Sequence, residues 1–220
     1  MMTTTEIHQA LAPGREVVES VVHTGPAGLL LGRGPGGPVA LRLFRGEPTR
    51  LYLAVPEYMR WLIAFRAMCL GAHLTVLAAD HREWLALADT VRACGGTIDL
   101  LRDTENVPGQ GRPFRPSLII DDMEAIQPTH QLGAWQAVAR IGDPTSSKAV
   151  GELRNSDVAI VTPVDGKTSE NLRRAYALPA SQVKGASDLG ETEVALASAR
   201  RFARVVVPPS PMEYRMLFGS

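Results

Sequence analysis

Acidic and histidine side chains follow several apolar segments of this chain, where they could hold a ligand or move a proton. The residues at these positions are Asp80, His81, Asp121, Asp122, Pro163 and Asp165. If the segments are parallel strands, their carboxyl ends meet at one edge of a sheet, which is where open α/β sheets bind ligands. The same grouping is also an ordinary consequence of such a fold. The pattern therefore predicts a candidate site without fixing its chemistry.

Two glycine-containing segments resemble phosphate-binding loops. Gly32–Gly37 matches G-x-G-x-x-G, but the dinucleotide fingerprint needs a helix after the glycines, and Val39–Phe44 reads as a strand. We interpret this segment as a turn between two strands. Gly166–Thr168 (GKT) follows the apolar strand Asp157–Val161 and resembles the end of a phosphate loop. The glycine expected five residues earlier is a valine, so the cradle of amides is incomplete.

An acidic pair and a lysine together raise the hypothesis of nucleotide hydrolysis. Asp121 and Asp122 end an apolar strand, as a magnesium-holding acid would, and Lys167 lies in the GKT segment. A carboxylate pair at a strand end is also typical of helix capping or loop solvation. Capping is the simpler interpretation, and we predict no catalytic residue from this pair.

Histidine and cysteine spacing gives no support to a metal site. None of the five histidines lies at helical i, i+4 spacing from another or beside a cysteine. His73 opens a predicted strand and His81 follows it, so we expect both near the same sheet edge as hydrogen-bonded or solvated side chains. Cys69 and Cys94 are predicted on the apolar sides of helices, as small hydrophobes. The sequence predicts no metal and no cofactor.

The elements that would position these residues alternate between strand and helix. The first half contains, in order, a strand at Leu51–Val55, a helix at Tyr58–Leu70, a strand at His73–Ala79, a helix at Arg82–Cys94 and a strand at Thr97–Leu101. Two successive crossover units favour a parallel sheet. The predicted class is a three-layer, Rossmann-like α/β fold, with a mostly parallel sheet and helices on both faces.

The second half repeats the alternation less regularly. Strands are predicted at Ser117–Asp122, Trp135–Ile141, Asp157–Val161 and Ala203–Val207, with helical segments at Lys148–Leu153, Ser169–Tyr176 and Met212–Phe218. Thr104–Pro116 reads as a surface loop, because it contains three prolines and two glycines. We assign residues 28–220 to one α/β domain. We assign residues 1–27 to an N-terminal extension or edge element, in which Glu6–Leu11 is compatible with a short helix and Glu16–His23 with an edge strand.

Composition excludes several classes of function. The 220 residues contain 23 basic and 23 acidic side chains, so the formal net charge is zero and no basic field is available to collect nucleic acid. No run approaches the ~18 apolar residues of a membrane-spanning helix. Two cysteines suit a reducing cytoplasm.

The order of these segments adds a family resemblance. GRGPGGPVALRLF, PTRLYLAV, LIAFRAMCLGAHLTV, AADHREWLAL, RPSLIIDD and VVVPPSPMEYRMLFG follow one another between residues 28 and 220. This series resembles the C-terminal cytosolic region of EccE-type components of actinobacterial type VII secretion systems. Many members of that family carry N-terminal transmembrane helices and a larger cytosolic part, which this sequence does not show.

The resemblance implies a non-enzymatic structural subunit, docked on other secretion-complex subunits. It would be cytoplasmic, peripheral at the inner membrane through its partners. One alternative is a nucleotide- or nucleotide-sugar-binding α/β enzyme with its site at the carboxyl ends of the strands. Another is an interaction module that presents the proline-rich segments Pro108–Pro116 and Pro208–Pro211.

Overall fold

The computed structural model of the protein describes residues 28–127 and 129–219. The predicted elements at Glu6–Leu11 and Glu16–His23 lie outside these residues. Ten strands form one sheet in the order β2-β1-β10-β9-β8-β3-β7-β6-β4-β5. No helix in the described part of the chain is long and apolar enough to cross a membrane.

The elements follow the predicted alternation. The strands are β1 (Leu29–Gly34), β2 (Gly37–Leu41), β3 (Thr49–Ala54), β4 (His73–Leu77), β5 (Ile98–Leu101), β6 (Ser117–Asp121), β7 (Gln136–Ile141), β8 (Val158–Val161), β9 (Glu193–Ser198) and β10 (Arg201–Val206). The helices are α1 (Glu57–Cys69), α2 (Arg82–Ala93), α3 (Ala149–Arg154), α4 (Gly166–Tyr176), α5 (Ala180–Val183) and α6 (Pro211–Phe218), with a 3₁₀ turn at Ala186–Asp188.

The sheet has a parallel half and an antiparallel half. Strands β8, β3, β7, β6, β4 and β5 pair in parallel. Strands β2, β1, β10 and β9 pair antiparallel and join the parallel half through β9 and β8. The parallel strands are apolar runs because both of their faces are covered, and every residue of β6 is buried. The predicted α/β class is confirmed.

Helices cover both faces of the sheet. On β3, Leu51 and Leu53 face a core that contains residues of α1, α2 and α6. Tyr52, between them, faces a second core built with α3, α4 and α5. This alternation follows from the period-2 geometry of a strand. The three-layer arrangement is therefore confirmed.

A partly buried ion pair fixes the last helix to α1. The Arg66 guanidinium donates to both carboxylate oxygens of Glu213, at 2.7 and 2.9 Å. Ser210 and Glu213 form a capping box at the start of α6, with Pro211 at the first helical position. Burial opposes ionisation of Glu213, but the hydrogen bonds from Arg66 and the Ser210 amide outweigh it and lower the pKa of that carboxyl.

The structure corrects four details of the sequence predictions. Helix α4 begins at Gly166 rather than Ser169, because Asp165 caps it. Strand β9 was not predicted, since its hairpin with β10 turns through Arg200 (φ 57°) without the usual glycine signal. Cys69 and Cys94 are exposed rather than on apolar helix sides, because each lies at a helix C-terminus.

The glycine-rich segment near the N-terminal end of the described chain is a turn, as predicted. Strands β1 and β2 pair antiparallel on either side of it, with Gly34 opposite Gly37. Gly37 has φ 109°, a conformation that glycine adopts without strain. No helix follows this turn, so it cannot act as a dinucleotide fingerprint.

Candidate functional site

Two sets of helices leave the parallel strands toward opposite faces, and this makes a topological switch point at their carboxyl edge. Strand β3 leads into α1 on one face, while its neighbours β7 and β8 lead into α3 and α4 on the other. Such a switch point is where open α/β sheets bind ligands, outside the carboxyl ends of the strands. We call this space the switch crevice. It is bounded by the start of α1, by residues 142–148 and by residues 162–167.

The junction between β3 and α1 occupies the floor of the switch crevice. Only Val55 and Pro56 separate the last strand residue from Glu57, the first residue of α1. A phosphate loop needs several glycine-rich residues at such a junction to wrap the phosphates in amides. This junction is too short for that loop. No side chain caps the start of α1, so its first amides face the crevice.

The α4 side of the crevice carries an exposed cation, whose charge acts on the carboxylates of Asp143 and Asp165. Lys167 is exposed, and its ammonium makes no hydrogen bond or ion pair within residues 28–127 and 129–219. The Asp165 carboxylate accepts a hydrogen bond from the Thr168 amide at 2.6 Å and caps the helix. This bond lowers the pKa of Asp165. Because the carboxylate already occupies the anion position of α4, a phosphate here would depend on Lys167 rather than on the helix amides.

The loop after β7 closes the crevice from the other side. The Asp143 carboxylate accepts from the Thr145 hydroxyl (2.7 Å) and amide (2.8 Å), and these bonds lower its pKa, with the charge of Lys167 as a further cause. The Asn171 amide group donates to the Pro144 carbonyl at 2.8 Å, which ties this loop to α4. The two loops are therefore held together around Lys167.

A second group of functional side chains lies at the end of β6. Asp122 is half-buried, and burial raises the pKa of its carboxyl. The Trp84 indole donates to it at 3.4 Å. Arg60, on the first turns of α1, contributes an opposing charge and lies 3.9 Å from Glu83. A carboxyl with a raised pKa at a strand end is a stronger base than an exposed aspartate.

Asp121, the other acid of the pair, is not available to a ligand. Its carboxylate is fully buried and accepts hydrogen bonds from the amides of Met123 (3.2 Å), Ala125 (2.9 Å) and Ile126 (2.8 Å). It orders the loop that follows β6. No helix lies between β6 and β7 among the described residues, so Asp121 orders a loop and does not cap a helix.

The structure places the strand-end residues in two groups at one edge. Asp80, His81, Asp121 and Asp122 follow the adjacent strands β4 and β6, whereas Pro163 and Asp165 follow β8. Strands β7 and β3 lie between the groups, which separates them by roughly 14 Å at the usual strand spacing. Their clustering at the carboxyl edge follows the sequence expectation.

His73 and His81 do not share an edge, contrary to the prediction. They flank β4 at opposite ends, because a five-residue strand separates them. His81 contacts the Leu101 carbonyl at 3.0 Å through Nε2. Asp80 is paired locally with Arg82. None of the contacts described for His73, His81 and Asp80 involves a residue of the switch crevice.

Sequence reasoning missed a charged network beside the crevice. Arg140 lies 3.1 Å from Glu124 and 3.3 Å from Glu152, and Lys148 pairs with the same two acids. The Tyr52 hydroxyl lies nearby, buried and without a partner among the described residues. Burial, then the charge of Glu152, raises its pKa. The sequence signal for this network is the presence of Tyr52 and Arg140 inside apolar strands.

Within the described residues, no group of three or more histidine, cysteine or acidic side chains is positioned to hold a metal ion. The residues do fit a phosphate in part. They offer one unpartnered lysine, an uncapped helix start and a half-buried carboxyl at one edge. They do not offer a glycine-rich cradle.

Similar folds occur among solved structures. VirB4 of Thermoanaerobacter pseudethanolicus superposes with a TM-score of 0.60 at 8% identity, covering 86% of this chain and 98% of that one. The pCW3 conjugation coupling protein TcpA, solved with ATPγS, gives 0.52 at 10% identity, covering 80% of this chain and 64% of TcpA. The genome packaging NTPase B204 of Sulfolobus turreted icosahedral virus 2, in complex with AMP, gives 0.50 at 6% identity, covering 74% and 98%.

No protein-family model matches the sequence. No curated protein matches it significantly either. At identities of 6 to 10%, the structural similarity concerns the fold.

These neighbours correct the functional prediction. A non-enzymatic structural subunit was expected, but the fold is one found in a genome packaging NTPase and in a coupling protein solved with ATPγS. The prediction of a non-enzymatic subunit is therefore wrong, and the nucleotide-binding alternative is better supported. Of the resemblance to secretion components, the neighbours support only a general link, through the conjugation coupling protein TcpA. None of the neighbours above is an EccE protein.

Proposed function

We propose that this protein binds a nucleotide in the switch crevice and hydrolyses or transfers its phosphate. The observation that carries the proposal is the topological switch point, where β3 leads to one face of the sheet and β7 and β8 lead to the other. The folds of TcpA, solved with ATPγS, and B204, solved with AMP, support the choice of an adenine nucleotide.

The phosphates would be held by side chains and helix-terminal amides, because the β3–α1 junction has no room for a glycine-rich loop. Lys167 supplies the point charge, as an unpartnered ammonium at the rim. The uncapped start of α1 supplies the amides of Glu57 and Tyr58 and the positive end of a helix dipole, since the Met59 and Arg60 amides already donate to the Pro56 carbonyl. Fewer amides than a full cradle mean weak binding, with a Kd nearer 1 mM than 1 μM.

Asp122, which follows β6 two strands along the sheet from β3, would take the proton from an attacking water. Burial raises the pKa of its carboxyl and so makes it a stronger base than an exposed aspartate, and the Trp84 indole donates to one of its oxygens. Asp122→Asn keeps the size of the side chain and its acceptor for Trp84 but removes the base. Phosphate release should then fall by about 100-fold while nucleotide binding persists.

The test is isothermal titration calorimetry with ATP, ADP and UDP-glucose, each with and without magnesium, followed by a phosphate-release assay. Lys167→Ala should weaken nucleotide binding by about tenfold, since a charge-assisted contact is lost. Lys184→Ala is the matched control, because Lys184 is also exposed but lies beyond the C-terminus of α4. Absence of saturable binding for all three nucleotides would reject the proposal.

The EccE resemblance adds a cellular setting to this proposal. We infer that the nucleotide-binding domain works in the cytoplasm beside a secretion complex, at the inner membrane through its partners. The folds of VirB4 and the conjugation coupling protein TcpA favour such a setting over a metabolic one. A tagged pull-down from detergent-solubilised membranes, read by mass spectrometry against an untagged control, should enrich secretion-channel subunits. If only soluble metabolic enzymes are enriched, the proposed setting beside a secretion complex is wrong, but the proposed nucleotide site is unaffected.

A further inference from the structure

A cavity lies at the opposite edge of the sheet, beside the amino ends of β4 and β6. Its volume is about 410 Å³, within the usual size range of small-molecule sites. It is lined by His73, Pro108, Gln110, Arg112, Phe114, Arg115 and Ser117. Most of these residues belong to the loop Thr104–Pro116, so this loop builds the cavity. We call it the amino-edge cavity.

The loop is fixed in place on both sides of the cavity. The Gly111 amide donates to the Ala134 carbonyl at 2.9 Å, and the His73 amide donates to the Pro116 carbonyl at 2.8 Å. A Cβ at Gly111 would lie 2.1 Å from the Trp135 carbonyl oxygen, so only glycine fits there. The segment between these anchors is therefore a preorganised turn.

This turn places two arginines directly opposite each other. Arg112 and Arg115 exchange both backbone hydrogen bonds, at 2.9 and 3.0 Å, and form an isolated antiparallel bridge. Residues in such a pair have Cβ atoms about 5.5 Å apart, and like charges at this spacing repel. Within residues 28–127 and 129–219, neither guanidinium pairs with a carboxylate. The carboxylate of Asp99 contacts Nε2 of His73 at 2.8 Å.

The other lining groups complement a ligand with a charged head and a flat body. Phe114 is 77% exposed at the tip of the turn, where its ring offers a stacking surface. The Ser117 hydroxyl is buried without a hydrogen-bond partner in the described structure. An Arg115 nitrogen lies 3.4 Å from Nδ1 of His73, and this contact orients the guanidinium toward the cavity wall.

We propose that the amino-edge cavity binds a small organic anion, with a phosphate or carboxylate head between Arg112 and Arg115 and a flat ring on Phe114. An anion between two opposed guanidiniums removes their repulsion and forms forked, charge-assisted hydrogen bonds. The Ser117 hydroxyl supplies a donor at the floor of the cavity. This site is independent of the switch crevice, because it lies at the other edge of the same strands.

The test is isothermal titration calorimetry of the full chain with phenyl phosphate, benzoate and inorganic phosphate. Phenyl phosphate or benzoate should bind saturably, and the stronger of the two identifies the head group. Arg112→Gln and Arg115→Gln should each weaken binding by about tenfold, as expected for one lost charge-assisted contact. Phe114→Ala should reduce the affinity for phenyl phosphate to that for inorganic phosphate, while leaving the latter unchanged.

Arg33→Gln is the matched control, because Arg33 is exposed on β1 in the antiparallel half of the sheet and should leave binding unaltered. The repulsion between Arg112 and Arg115 allows a second measurement. Without ligand, the melting temperature of the Arg115→Gln variant should be no lower than that of the wild type. Absence of saturable binding of all three anions would overturn the proposal, as would binding that survives the Arg112→Gln, Arg115→Gln double variant. Because nucleotides also carry phosphate and a ring, loss of ATP binding in the arginine variants but not in Lys167→Ala would assign ATP to this cavity instead.

Discussion

The two edges of the parallel half differ in how their charges are compensated. At the carboxyl edge, Asp143 and Asp165 already accept backbone hydrogen bonds, and Lys167 lies between acids. At the amino edge, Arg112 and Arg115 oppose each other without an acidic partner among the described residues. The carboxyl edge has the topology of a ligand site, whereas the amino edge has a cavity of about 410 Å³ and the uncompensated charge. Topology and local electrostatics therefore point to different places in the same domain.

The largest expected effect is a loss of stability when Gly111, which anchors the loop at the amino edge, is substituted. Gly111→Ala would force the backbone away from the Trp135 carbonyl, which should lower the free energy of unfolding by about 3 kcal/mol. Gly109→Ala, in the same loop but in open space, should have almost no effect. Urea denaturation of both variants measures the difference. Equal stability of the two would show that the loop is not anchored as described.

A smaller effect is expected at the carboxyl edge. Gly142→Ala would place a Cβ 2.6 Å from the Tyr52 hydroxyl and should cost about 2 kcal/mol through overpacking. Gly151→Ala, in open space on α3, is the control and should stabilise the protein by about 0.5 kcal/mol. Thermal melts should separate the two variants by roughly 5 to 10 °C. A Gly142→Ala variant as stable as the wild type would mean that this edge is loosely packed.

The charge of Asp122 should be visible in the pH dependence of stability. Its folded pKa is raised above the ordinary value of 3.8, so the protonated form is favoured in the folded state. The resulting stability is complete below pH 3.8 and is lost as pH rises through the folded pKa. Asp122→Asn should match the wild type in acid and melt roughly 1 to 3 °C higher at neutral pH. A variant that melts lower at neutral pH would show that the carboxylate is well compensated.

The smallest effect concerns the unpartnered hydroxyl of Tyr52. Tyr52→Phe removes a buried group that has no partner in the described structure, so it should change stability by less than about 1 kcal/mol. Tyr176→Phe tests the same point on α4, away from the crevice. Chemical denaturation at neutral pH compares the two. A loss above 2 kcal/mol for Tyr52→Phe alone would mean that its hydroxyl is hydrogen-bonded in solution.

Most of the parallel half was predictable, because its strands are continuous apolar runs with strong end signals. Pro56 and Glu57 mark the start of α1, and Gly71 its end. The hairpin of β9 and β10 was not predictable, since its turn at Arg200 lacks glycine or asparagine.

The candidate sites were only partly predictable. The strand-end acids follow from the parallel topology, and Lys167 was visible in the GKT segment. The pairing of Arg112 with Arg115 depends on a loop conformation that no periodicity encodes. The Arg140 network depends on strand neighbours distant in sequence. Long-range contacts of this kind lie outside local pattern reasoning.

A crystal structure of the protein with ATPγS and magnesium tests the central claim most directly. The account predicts density for the nucleotide in the switch crevice, with its phosphates between the start of α1 and Lys167. Nucleotide density in the amino-edge cavity, beside Arg112 and Arg115, would contradict it. So would an empty crevice at nucleotide concentrations that saturate the protein in solution.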